Sequence, residues 1–144
     1  MKALIISLAL FFATLNSYAV KSDTIDYWQV KLNGKIINPN PGGTFDNSVY
    51  SITNISDSAT LEIGYYTDSP CPSKECVSKL ELKTKNGLIL EIKNNSFDNT
   101  PFQISGKELK KLFLLNSDIY VYFSGKKGGD TWDTPRYLGI LTKK

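Results

Sequence analysis

The chain contains no histidine, so it lacks the side chain that most often serves as general base and metal ligand near neutral pH. Ser-His and Cys-His nucleophile pairs and His-rich zinc sites go with it. Long apolar runs are also scarce. The longest, Ala3 to Leu15, covers about 13 residues, short of the roughly 20 that cross a bilayer as a helix. Charge of one sign is lacking too: 17 basic and 14 acidic residues are interspersed along the chain. No extended positive stripe is left to track a phosphate backbone, and a nucleic-acid partner is not expected. Cysteine is scarce as well, Cys71 and Cys76 being the two in the chain.

What is present begins with an export signal. Lys2 precedes the apolar run, Asn16 turns the chain polar, and Ser17-Tyr18-Ala19 places small residues at the two positions a signal peptidase reads. Residues 1–19 are therefore expected to be cleaved, leaving residues 20–144 as one domain with no membrane insertion. No cysteine follows the cleavage point to take a lipid anchor. The expected destination is periplasmic or extracellular, where thiols oxidise. Cys71 and Cys76, in Ser-Pro-Cys-Pro-Ser-Lys-Glu-Cys, are expected to pair as a structural disulfide that clips a hairpin between Tyr66 and Val77. A redox role fits poorly, because the spacing is not Cys-x-x-Cys and no helix start follows to lower a thiol pKa.

Turn signals arrive every eight to twelve residues and separate runs rich in Val, Ile, Tyr and Thr. This is the pattern of a mainly β, antiparallel sandwich-like domain of seven or eight strands. Strands are predicted at Tyr27 to Leu32, Lys35 to Ile37, Val49 to Thr53, Ala59 to Tyr66, Val77 to Thr84, Leu88 to Lys93, Asp118 to Ser124 and Arg136 to Thr142. Asn33-Gly34 marks a tight hairpin, whereas Asn38 to Gly43, with two prolines and two glycines, must be a loop. At Asn86-Gly87 the register can be tested. A two-residue loop would set Leu82 against Glu91, so a three-residue loop, Lys85-Asn86-Gly87, is predicted, with Leu82 facing Leu90 and Leu80 facing Ile92. Gly87 would then occupy the left-handed position of a bulge.

One short helix is marked at about residues 106–115. Ser105-Gly106-Lys107-Glu108 is a capping box, Ile104 can staple onto Leu109, and the helix should end near Asn116. Leu109, Leu112 and Phe113 share a face, with Lys107, Lys110 and Lys111 away from it. That face is assigned to the core rather than to a membrane surface, and the helix is expected to cover the Tyr120 and Tyr122 side of the strand from Asp118. Left uncovered, the two tyrosines would form a strip for a partner.

Chemistry is thinly represented. Paired carboxylates of the glycosidase kind would have to come from Asp46, Asp57, Asp68, Asp98, Asp130 or Asp133, and no pair among these stands out from ordinary turn aspartates. The segment Asp130-Thr131-Trp132-Asp133 has too few acids for a calcium loop. No metal or other cofactor is expected, and a non-catalytic role is. The most unusual stretch is Lys126 to Arg136, which carries one of the two tryptophans among glycines, acids and an arginine. Trp132 offers a flat apolar face for a sugar ring, while Asp130, Asp133 and Arg136 can bond hydroxyls in fixed directions. The expectation is thus an exported ligand- or partner-binding β-domain with carbohydrate contact through the Trp132 loop. The alternatives are an envelope structural or protein-interaction protein and, third, a glycosidase-like enzyme. The sequons at Asn54-Ile55-Ser56 and Asn94-Asn95-Ser96 matter only in a cell that glycosylates its exports.

Overall fold

Alternating apolar residues build the first hairpin. Trp28 and Val30 of β1 (Tyr27–Leu32) point inward and are fully buried, and Asn33-Gly34 turns the chain into β2 (Lys35–Ile36). Both turn residues have positive φ, 52° and 77°, the geometry whose twist matches paired strands. The computed structural model describes residues 27–37, 48–67, 71, 75–96, 98–128 and 131–144. The export signal, the Asn38 to Gly43 loop, Asp46, Asp68 and Asp130 lie outside the described residues.

Seven further strands follow: β3 (Val49–Ile52), β4 (Thr60–Tyr66), β5 (Cys76–Thr84), β6 (Gly87–Asn94), β7 (Phe102–Ser105), β8 (Asp118–Lys127) and β9 (Arg136–Lys143). The helix α1 (Gly106–Leu115) stands between β7 and β8. One sheet has the order β2-β1-β4-β7 and the other β3-β9-β8-β5-β6, giving a mainly β, sandwich-like domain. All pairings are antiparallel except β3 with β9. The inner faces supply one core, from Val30, Leu61 and Ile63 on one sheet to Leu80, Leu82, Val121 and Leu141 on the other.

Several features, the parallel β3–β9 pair among them, depart from the sequence reading. A ninth strand, β7, is short, and its apolar residues Phe102 and Ile104 run straight into the helix cap, which hid it. The segment carrying Cys71 and Cys76 does not turn a hairpin. β4 and β5 lie in different sheets, so the disulfide, with Cα atoms 5.9 Å apart, clips a crossing from one sheet to the other. The β5–β6 hairpin keeps the predicted pairs Leu82 with Leu90 and Leu80 with Ile92 but reaches them by another route. Thr84 pairs with Gly87 around Lys85-Asn86, and the extra residue is absorbed between Leu82 and Lys83 on one strand and Leu88 and Leu90 on the other. Burial of Leu80 and Leu82 dictates the inner register, and the turn only has to deliver it.

The sheets are tied by a buried polar relay. Trp28 Nε1 of β1 donates to Tyr50 Oη of β3, which donates to the Leu138 carbonyl of β9 at 2.7 Å. Burial pushes the Tyr50 hydroxyl above its ordinary pKa of 10.0, against the opposing pull of the hydrogen bonds with Trp28 and Ser48. Tyr50 fits because the residue beneath it is Gly139, with φ 138°. A Cβ there would stand 2.5 Å from the Ser48 carbonyl oxygen and 2.6 Å from the Tyr50 ring.

The helix starts as predicted, with Ser105 Oγ accepting from the Glu108 amide at 3.2 Å. It does not lie on the tyrosine side of β8. Instead it runs across the end of the sandwich, from Ser105, paired with Thr60, to Asp118 at the start of β8, and sends Leu109 and Phe113 into the core. Tyr120 and Tyr122 therefore stay half-buried on the outer face of the five-stranded sheet. Only the last helical residues approach them, across a cavity of about 180 Å³ lined by Leu115, Asn116 and Tyr120.

Candidate functional site

β8 has ten residues, each rising about 3.3 Å, so its two ends lie about 30 Å apart. At the end away from the helix the inward rows change character. The row Leu61, Ile63, Tyr65 of β4 continues into Thr67, and the row Val121, Phe123, Gly125 of β8 continues into Lys127. Arg136, which opens β9 opposite Phe123, joins them. Tyr65, Thr67, Phe123, Gly125, Lys127 and Arg136, with Ser124, Asp133 and Thr134, line a cavity of about 140 Å³.

Its inner wall is aromatic. The Tyr65 ring stacks on Phe123 across the two sheets, with centroids 4.2 Å apart and planes 16° from parallel, and Phe102 meets Phe123 edge-on. Such a stack holds the sheets at a set separation. Arg136 lies over Tyr65, its guanidinium carbon 5.4 Å from the ring centroid, and donates from Nη1 to Tyr65 Oη. The guanidinium is thereby oriented from below while the residue as a whole stays exposed. The outer wall is the 131–135 segment, which the Asp133 amide ties to the Gly125 carbonyl at 2.9 Å. The lining offers cationic donors (Arg136, Lys127), one carboxylate acceptor (Asp133) and hydroxyls that do both (Thr67, Thr134). Among the described residues no group of three or more acids or cysteines is placed to hold a metal ion.

The residues singled out from sequence are only partly brought together. Asp133 and Arg136 share the cavity. Trp132 stands outside it, on the outer face of the five-stranded sheet, with Lys79 Nζ 4.9 Å from its ring centroid and 38% of its surface exposed. Asp130 lies outside the described residues. Tyr65, Thr67, Phe123, Lys127 and Thr134 were not anticipated. A signal existed for some of them: a polar residue at inward parity just past the end of an apolar row, which Thr67 and Lys127 both are. At Lys127 the signal is hidden, because the apolar alternation ends the predicted strand at Ser124, three residues short of the end of β8. Strand alternation splits the adjacent tyrosines of β4: Tyr65 points in, and Tyr66 points out to stack on Tyr27 at 4.8 Å.

The outer face beside Trp132 is ordered by charge. Glu81, nearly buried, has one carboxylate oxygen 3.3 Å from Lys79 Nζ and the other 3.3 Å from Lys83 Nζ. Lys83 also sits 4.9 Å over the Tyr122 ring. On β6, Glu91 is held below the usual carboxylate range, chiefly by its hydrogen bond from Lys93. Tyr137 packs against Tyr122 and Tyr120, and burial pushes its hydroxyl up, with the neighbouring tyrosines adding to the effect. Ser124 Oγ, in the same outward row, is buried without a hydrogen-bond partner among the described residues.

No known protein family, curated protein or solved structure matches the chain. The Cys71–Cys76 bond is compatible with an exported protein, and no helix among the described residues is long and apolar enough to cross a membrane.

Proposed function

We propose that the protein is an exported, non-catalytic ligand-binding β-domain and that its ligand is a small carbohydrate held in the cavity between the sheet ends. One observation carries this reading: directional donors and acceptors from three sources, β4, β8 and the 131–136 segment, converge on one concave site with an aromatic wall. Sugar hydroxyls ask for such a mixture of planar charged groups and hydroxyls. At about 140 Å³ the cavity suits one sugar unit, since pockets for drug-sized ligands start at roughly 300 Å³. Trp132, next to Asp133 in the chain but on the outer sheet face, serves in this reading as a reporter of the 131–136 segment.

The test uses the two tryptophans. Trp132 is part-exposed and Trp28 is buried at 1%, so a fluorescence titration against mono- and oligosaccharides should give a saturable change that Trp132→Ala removes and that Arg136→Ala weakens. A panel without response in the native protein would remove the reading. The half-exposed cluster of Tyr120, Tyr122 and Tyr137 favours a second reading, a protein partner on the outer sheet face. Cross-linking that targets those tyrosines in the native envelope or medium would identify it. The glycosidase arrangement needs two carboxylates flanking a bond, and among the described residues Asp133 supplies one.

A further inference from the structure

The end closed by the helix carries a surface that the sugar-binding reading does not use. Helical spacing puts Leu109, Leu112 and Phe113 on the side facing the core, which leaves the next two residues turned away from it. Leu114 is 78% exposed and Leu115 88% exposed, the two most exposed large apolar side chains among the described residues. They are adjacent and stand at a helix end, so they protrude as a pair. Beside them runs a groove of about 450 Å³ lined by Ile55, Leu114, Lys110, Lys143 and Lys144. The lysines at this end include Lys85, Lys107, Lys110, Lys111, Lys143 and Lys144, and the acids include Asp57, Glu108 and Asp118. Lys110 already pairs with Asp57 at 2.6 Å, on the surface, where such a pair contributes little.

We propose that this end docks the protein on an anionic lipid surface, with Leu114 and Leu115 entering the acyl boundary and the lysines meeting the headgroups. The layering matches: an apolar tip ringed by cations is what a leaflet with negative headgroups accepts. The cations are all lysines, flexible point charges that suit mobile headgroups, whereas bidentate recognition of a fixed partner favours arginine. Lysine stems can also lie along the leucines while the ammonium groups stay in the headgroup layer. A second copy is a poor occupant, because a two-fold contact would set this basic patch against itself. The geometry leaves the sugar-binding end about 30 Å away, facing the aqueous side.

Co-sedimentation of the protein as an exporting host delivers it, with vesicles of phosphatidylcholine alone and with added phosphatidylglycerol, tests this. Binding is expected only with phosphatidylglycerol and should fall away in 0.5 M salt, a condition that screens exposed charges beyond about 3–5 Å. Leu114→Ser with Leu115→Ser should weaken partitioning about tenfold or more, while the thermal transition and the saccharide titration remain those of the native chain. Lys111→Glu with Lys143→Glu should do the same by charge. Failure to sediment with either vesicle, or leucine-independent binding, overturns the proposal. Capture by polyglutamate without capture by vesicles assigns the surface to an acidic protein and overturns it as well.

Discussion

At one end of the sandwich Leu109 and Phe113 drop into the space between the sheets, whereas at the other the inward rows run out into Thr67, Lys127 and Arg136. Both ends face the same problem, two sheets whose inner faces must be shut off from water. The helix shuts its end with apolar volume, burying Leu109 and Phe113 in the core. The opposite end is shut by an aromatic stack, Tyr65 on Phe123, and beyond it lies the polar-lined cavity. Apolar closure and the polar-lined cavity thus lie at different ends of the same strands, and on the proposed reading substitutions should separate stability from binding.

Three leucines of one helix make the sharpest separation. Leu109 is fully buried, and Leu109→Ala should cost about 2–5 kcal/mol through lost burial and a residual cavity, read as a fall in the denaturation midpoint. A cost under about 1 kcal/mol would mean that the helix does not plug its end. Next in size is Tyr50→Phe, which removes the hub of the relay between β1, β3 and β9 and should cost about 1–3 kcal/mol.

That variant also has a pH signature. The folded-state pKa of Tyr50 lies above 10.0, so the native state holds this proton more tightly than the unfolded chain does. Its contribution is complete below pH 10.0 and is lost as the pH rises through the folded value. Native protein should therefore lose stability in alkali more steeply than Tyr50→Phe, a comparison that chemical denaturation at pH 8 and pH 11 would make. Equal slopes would mean that Tyr50 is not the titrating group.

At the cavity end the effects on stability are smaller. Replacing Cys71 and Cys76 together by serine should cost less than about 3 kcal/mol, because a loop this short restricts few unfolded conformations. Arg136→Ala should change stability by no more than about 1 kcal/mol, the guanidinium being exposed, yet abolish or weaken the saccharide response. Loss of folding in place of loss of binding would make Arg136 a structural strut. Smallest of all, the Leu114→Ser and Leu115→Ser pair should leave stability within about 0.5 kcal/mol. If it destabilised the protein as Leu109→Ala does, the exposed pair would belong to the core.

Much of the fold was legible because it rests on short-range rules. Alternation of period two marked eight of the nine strands, Asn33-Gly34 announced its turn, and Ser105 with Glu108 marked the helix start. Even the β5–β6 register was readable, since a slip by one residue would have put Leu80 and Leu82 in water. The site was read less well. The Trp132 segment was identified as a place where polar groups gather, but Trp132 and Asp133 point to different sides of the sheet. Tyr65 and Thr67 belong to the cavity although both are far from that segment in sequence.

The amino-acid sequence by itself determined which stretches alternate, where they turn, which helix face is apolar and which side chains are available at all; the missing histidine is part of that determination. Only the tertiary structure decided which strands share a sheet, that the cysteine segment crosses between sheets, and that the helix plugs an end and does not cover Tyr120 and Tyr122. The reason is physical. Local pattern specifies which face of each element must be buried, but several arrangements of the elements bury the same faces, and the choice among them depends on long-range fits such as Tyr50 over Gly139 and Tyr65 on Phe123.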